Sequence, residues 1–163
     1  KVVREIRKAT PEVTIELLIP DMQGNKDLID IIIDSEPDVL NHNVETVPEL
    51  YDTVRPMAVF DRSVELLGYV KRKKPYMRTK SGMMLGLGET KDQVINVFKK
   101  LREVDCDMIT LGQYLRPTKA HIPVVEYVAP EQFDEYKDIA LSMGFKKVAS
   151  APLVRSSYYA ENF

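Results

Sequence analysis

The sequence predicts an α/β fold, a parallel sheet with flanking helices, and three observations carry that reading. Strand-like and helix-like stretches alternate along the chain, the order that a parallel sheet with crossover helices requires. The strand stretches are short and mostly apolar, as they are when both faces of a sheet are covered. At the centre, residues 79–85 read as a strand, Gly86 and Gly88 as a tight turn, and Thr90 with Gln93 as a capping box that opens a helix. That turn gathers backbone N–H groups and a helix N-terminus at one spot, where an anion, a nucleotide or a carboxylate can sit. The same turn also occurs with a purely structural role.

In chain order, residues 1–9 have helix composition and stop at Thr10-Pro11. Residues 13–19 form a β-branched and leucine run, hence a strand. Asn25 is placed to cap a helix that reaches about Ser35, with Leu28, Ile31 and Ile32 on one face. Residues 38–41 give a brief strand. Thr46 with Glu49 reads as a second capping box, and Asp61 as the cap of the helix that runs to about Lys73. After the central strand, Val94, Val97, Phe98, Leu101 and Val104 fall at helical spacing. Residues 107–111 are the next strand, and 112–123 a long loop with Gln113, Tyr114, Arg116 and His121. Pro130 starts a helix whose face is Phe133, Tyr136, Ala140 and Met143 and which Gly144 closes. Residues 146–149 are the last strand.

The 163 residues suit one domain, and a net charge of -2 gives no support for nucleic acid or an anionic membrane as the main partner. No apolar run is long enough to read as a membrane span, and the N-terminus does not read as a secretory signal. Cys106 is the one cysteine, which excludes a disulfide framework and a cysteine-ligated zinc or iron–sulfur site built by this chain alone. In Val-Asp-Cys-Asp it reads as a buried small apolar residue rather than a reactive thiol.

In parallel α/β folds the functional loops follow the carboxyl ends of the strands. Here those loops hold Asp21 and Gly24, then Asn41, His42, Asn43 and Glu45, then Gly86 to Glu89, then Gln113, Tyr114 and Arg116, and finally Arg155, Ser156 and Ser157. Asn41, Asn43 and Glu45 suit ribose hydroxyls or an ammonium group; equally, they suit loop backbone and a helix cap. His42 reads as a structural histidine before it reads as a metal ligand, since His121 is its only companion. Lys80, beside Ser81 in the central strand, is either a Schiff-base amine of an aldolase-type barrel or a lysine paired with an acid. No Gly-x-Ser-x-Gly elbow accompanies Ser156 and Ser157, which sets hydrolysis aside.

The strings VLNHNVETVPELYDTVRP, TKSGMMLGLGET, DMITLGQYLRPT, HIPVVEYVAPEQF and PLVRSSYYA, in that order, resemble the lipoyl synthases of the radical S-adenosylmethionine (SAM) superfamily. The resemblance runs from about Val13 to Ala160. It implies the C-terminal part of a partial (β/α)6 TIM-like barrel, residues 1–150, with a tail, 151–163, that carries Arg-Ser-Ser-Tyr. It also implies sulfur insertion at C6 and C8 of a protein-bound octanoyl chain, two 4Fe–4S clusters and S-adenosylmethionine. Ser157 is then expected as a ligand of the auxiliary cluster, with Arg155 beside it in a catalytic role. Asn41, Asn43, Glu45, Lys80, Ser81, Gly86, Gly88, Glu89, Gln113 and Tyr114 are expected around S-adenosylmethionine. The implied partner is an octanoylated carrier, a lipoyl domain or the glycine cleavage H protein, and the implied compartment is the cytoplasm of a prokaryote, a mitochondrion or a plastid.

The family's Cys-x4-Cys-x5-Cys and Cys-x3-Cys-x2-Cys triads do not occur here. The chain is therefore expected to be the C-terminal half of such an enzyme, to bind no complete cluster alone, and to self-associate or take a partner along an exposed barrel edge. The alternative is a non-catalytic half-barrel that binds a lipoyl-domain partner.

Overall fold

A computed structural model describes residues 1–157; the part of the tail from Tyr158 on lies outside the described residues. The fold is α/β. Five strands pair in sequence order, β1 (Glu16–Leu18), β2 (Val39–Asn41), β3 (Arg78–Leu85), β4 (Met108–Gln113) and β5 (Lys147–Ser150), and every pairing is parallel. The helices are α1 (Val2–Ala9), α2 (Lys26–Ile33), α3 (Tyr51–Val54), α4 (Phe60–Lys73), α5 (Lys91–Glu103) and α6 (Pro130–Ser142). Sequential parallel strands joined through helices are the arc of a (β/α) barrel. Among the described residues no helix is long and apolar enough to cross a membrane.

Strand alternation divides the sheet into two faces. Leu40, Met83, Leu85, Ile109 and Leu111 point to the helices and join the core with Leu67, Val94, Phe98 and Phe133. Register puts Asn41, Lys80 and Met108 side by side, then Gly82 beside Thr110 and Met84 beside Gly112, on the opposite, inner face. That face carries polar and small residues, which is what positions a site there.

Below the sheet, at the amino ends of the strands, Asp107 ties the elements together. Its carboxylate accepts from Lys71 Nζ at 2.9 Å, Lys146 Nζ at 2.7 Å and the Thr79 backbone N–H at 2.9 Å. Burial pushes this carboxyl up, but those bonds outweigh it and hold the group below the ordinary carboxylate range.

Several local expectations are corrected. On α2 the buried residues are Ile29 and Ile33, while Leu28 and Ile31 are exposed, because the helix packs one position further round. Thr46 caps nothing: a 3-10 turn, Pro48–Leu50, intervenes, and Thr46 Oγ1 is buried without a partner among the described residues. Asp61 lies inside the first turn of α4, whose N-cap is Val59. β4 continues through Gln113, so Gln113 is a strand residue and not part of the loop. Asn25 does cap α2, and the Thr90–Gln93 capping box forms as expected.

Candidate functional site

The exit of β2 splits its side chains between the two faces. Asn41 ends the strand and gives Nδ2 to Glu16 Oε1 at 2.8 Å on the inner side. His42 turns to the helices, with Nδ1 at 2.8 Å from the Ile19 carbonyl and Nε2 at 2.9 Å from Ser63 Oγ. Both ring nitrogens are thus engaged, and burial holds the imidazole below its ordinary value. His42 is structural. Asn43 returns to the inner side and gives Nδ2 to Glu45 Oε1 at 3.2 Å. Glu45 has φ 68 and forms a lone parallel bridge to Met83, so its backbone bonds to Gly82 and Met84 extend the ladder past β2.

Gly82 explains why Asn43 can lie over the sheet. A Cβ there would stand 2.6 Å from Thr110 Oγ1 and 2.9 Å from Asn43 Oδ1, too close for either. Gly112 does the same for the tail. A Cβ there would fall inside the Val154 carbonyl oxygen and 3.1 Å from Arg155 Nη1. The chain after β5 therefore crosses the end of β4, held by Gln113 N–H donating to the Pro152 carbonyl at 3.1 Å. This crossing brings Arg155 and Ser156 over the inner face.

The result is a cavity of about 360 Å³ whose lining includes Asn43, Glu45, Gly82, Thr110, Arg155 and Ser156. Gln113 also reaches it, but its amide is spent: Nε2 donates to the carbonyls of Tyr114 and Glu126, and Oε1 accepts from the Val128 N–H. It clamps the loop after β4, and Tyr114 pins that loop again through its hydroxyl to the Ile122 carbonyl at 2.9 Å. Beside the cavity, Lys80 has no exposed surface and donates to Glu16 Oε2 at 3.1 Å. An ammonium sealed onto a carboxylate is not an amine open to a carbonyl substrate, so the geometry favours the ion-pair reading over the aldolase one.

Of the residues expected around the site, the structure brings Asn43, Glu45, Gln113 and Arg155 onto one cavity, with Asn41 and Lys80 alongside. Ser81 turns the other way and accepts from the Val44 N–H at 3.3 Å. Ser157 is exposed, and it is Ser156 that lines the cavity. Gly86 and Gly88 adopt φ 94 and φ 108, and the N–H groups of Gly86 and Leu87 donate to Glu89 at 2.6 and 2.9 Å. The anion expected at that turn is thus supplied by the chain itself. Cys106 is fully buried and its thiol is pushed up to about 12, chiefly by burial. Among the described residues no group of three or more His, Cys, Asp or Glu is placed to hold a metal ion.

Glu16 was not singled out from sequence, although it is the one charged residue in the run of residues 13–19. Gly82, Thr110 and Gly112 carried no such signal, because glycine and threonine in a strand acquire meaning only once the opposing atoms are known.

Residues 1–101 match the family described as the Radical SAM superfamily, and the chain belongs to it. Among characterised proteins it is similar to the lipoyl synthase of Caldanaerobacter subterraneus, 56% identical over 161 residues that make up 99% of this chain and 56% of the relative. The lipoyl synthases of Caldicellulosiruptor saccharolyticus and Desulfotalea psychrophila are each 52% identical, over 98% and 99% of this chain and 56% and 54% of theirs. The chain spans about half the length of the curated relatives it matches.

Proposed function

We propose that this chain forms part of a lipoyl synthase and supplies the rim that orients S-adenosylmethionine for sulfur insertion at C6 and C8 of a protein-bound octanoyl chain. The observation that carries the reading is identity of 56% across 99% of the chain to a protein of that name. The inner face adds physical support, because Asn41 and Asn43 each keep a buried Oδ1 without a partner among the described residues, acceptors that suit a nucleoside.

S-adenosylmethionine, when bound and given one electron by a reduced 4Fe–4S cluster held outside this chain, would supply the carbon radical that takes hydrogen from the substrate's alkyl chain. The residues of this chain do the rest of the work at the rim. Asn41, Asn43 and Glu45 hold the nucleoside; Glu89 with Gly86 and Gly88, and Gln113 with Tyr114, fix the loops that surround it. Ser81 fixes the segment that carries Asn43. Lys80 with Glu16 stiffens the inner face. Placement of this kind excludes water and sets the reacting carbon against its target hydrogen.

The described residues do not by themselves fit an iron–sulfur cluster, since the single thiol is buried under the strand ends. Cluster ligands would come from outside this chain, with Ser157 as its one contribution and Arg155 beside it. The chain alone is then inactive. The partner is an octanoylated lipoyl-carrier protein, and the open edge of β1, where Leu18 is exposed, is a surface for self-association or for the rest of the barrel.

A chimera tests this. This chain replaces the matched half of the Caldanaerobacter protein, and the product is assayed anaerobically with an octanoylated carrier peptide by mass spectrometry. Conversion to the lipoyl form is expected. A chimera that folds and loads its clusters yet leaves the octanoyl peptide unchanged, while the parent converts it, refutes the proposal.

A further inference from the structure

The connection from β4 to α6, residues 114–129, carries no helix or strand. Connections that long without secondary structure are uncommon in compact domains and usually serve a function. This one is braced by its own bonds. Its base is held by the Gln113 amide, and the Val125 N–H donates to the Gly86 carbonyl at 2.9 Å. At its tip Arg116 Nε donates to the His121 carbonyl at 2.8 Å and Nη2 to the Lys119 carbonyl, while Thr118 Oγ1 lies 2.9 Å from His121 Nδ1. A loop fixed in this way meets a partner with little ordering left to do.

The charge on this side of the rim has one sign. Residues 108–125 and 139–157, which supply β4, β5 and the segments that leave them, contain no Asp or Glu. Arg116 and Lys119 are exposed and join no ion pair among the described residues, nor does Arg155 in the cavity wall. On the β1 side, by contrast, Arg62 is met by Asp21 at 2.6 Å and Lys80 by Glu16 at 3.1 Å. Carbonyl oxygens orient the Arg116 guanidinium without neutralising it. Apolar side chains accompany these cations: Leu115, 48% exposed, lines the cavity with Arg155, and Leu153, 74% exposed, stands on the tail where it crosses the end of β4. The two loop cations are too few for a membrane surface or a nucleic acid, which are held by larger clusters. They suit carboxylates on a protein that presents one side chain to the adjoining cavity.

We propose that the 115–121 loop, with Leu153, is a docking platform for an acidic protein surface, which it sets against the cavity so that an acylated side chain of that protein can enter. The proposal rests on the reading that the substrate's octanoyl chain is carried on a protein, and adds where and by what chemistry the carrier is held.

The probes are two peptides, an octanoyl-lysine flanked by glutamates and the same octanoyl-lysine flanked by glutamines. Binding to this chain is read from backbone amide shifts, which give both affinity and footprint. The glutamate peptide is expected to bind about ten-fold tighter, with shifts at 115–121 and Leu153, and to lose that margin as ionic strength rises from about 0.01 M to about 0.15 M. Lys119→Glu is expected to abolish the margin and Lys119→Arg to keep it. The Lys119 side chain makes no hydrogen bond or ion pair among the described residues, so neither exchange removes a contact of the fold. Equal affinity for the two peptides in the wild type, a margin that ignores salt, or a footprint away from the loop overturns the platform and leaves the octanoyl reading standing, since that reading needs no acidic flank. Binding of neither peptide also overturns the platform, while the chimera assay still decides the substrate. Anionic lipid vesicles that shift the same amides as strongly as the glutamate peptide would make the loop a membrane contact and overturn it as well.

Discussion

Gly82→Ala perturbs the site at its tightest point. The new Cβ would stand 2.6 Å from Thr110 Oγ1 and 2.9 Å from Asn43 Oδ1, against the 3.4 Å at which ordinary contact begins. Overpacking of this kind costs about 1–3 kcal/mol. Moving the Asn43 amide also breaks its bond to Glu45, worth about 0.5–1.5 kcal/mol. Alanine returns about 0.5–1 kcal/mol over glycine in a strand. The net expectation is a loss of about 1–3 kcal/mol, read as a lower urea midpoint with an unchanged slope. Thr110→Ala removes the nearer of the two obstructing atoms, so the double variant should recover about 1 kcal/mol relative to additivity. A Gly82→Ala protein within about 0.5 kcal/mol of wild type, or strict additivity in the double variant, refutes the claim that Thr110 and Asn43 close the space above Gly82.

Gly112→Ala should lift the tail from the end of β4 and speed tryptic cleavage after Arg155, since its Cβ meets the Val154 carbonyl; an unchanged digestion rate contradicts this. Asp107→Asn should cost about 3 kcal/mol in chemical denaturation, because two lysines lose a buried partner. The Asp107 carboxyl titrates below its ordinary range when folded, so its contribution is present above about pH 4 and is lost as pH falls through the folded value; Asp107→Asn should flatten that acid slope. His42 is held below its ordinary value by burial, so the unfolded chain takes the proton first and stability falls as pH drops below about 6.5; His42→Gln should remove that dependence in denaturation measured from pH 7 to 5.

Much of the fold was legible because alternation of strand and helix patterns leaves few arrangements open. The capping box at Thr90 and Gln93 formed because both partners are local in sequence. Thr46 and Glu49 carry the same signature and fail, because tertiary packing at Val47, fully buried, imposes a 3-10 turn where a capped helix would begin. The face of α2 was misread for a related reason: a helix of five apolar residues in eight has no unique apolar stripe. In the site, Asn43, Glu45 and Arg155 could be named from rim position alone. Glu16, Gly82 and Gly112 matter through atoms that lie on other strands, and no local pattern reports those.

Occupation of the inner face by S-adenosylmethionine is tested most directly by mapping the backbone amide shifts of this chain on titration with that ligand. Changes are expected to concentrate at Asn43, Glu45, Gly82 and Thr110 on the inner face, with the opposite end around Arg7, Asp38 and Arg78 unmoved. Changes concentrated at that opposite end, or no change at saturating ligand, would contradict it.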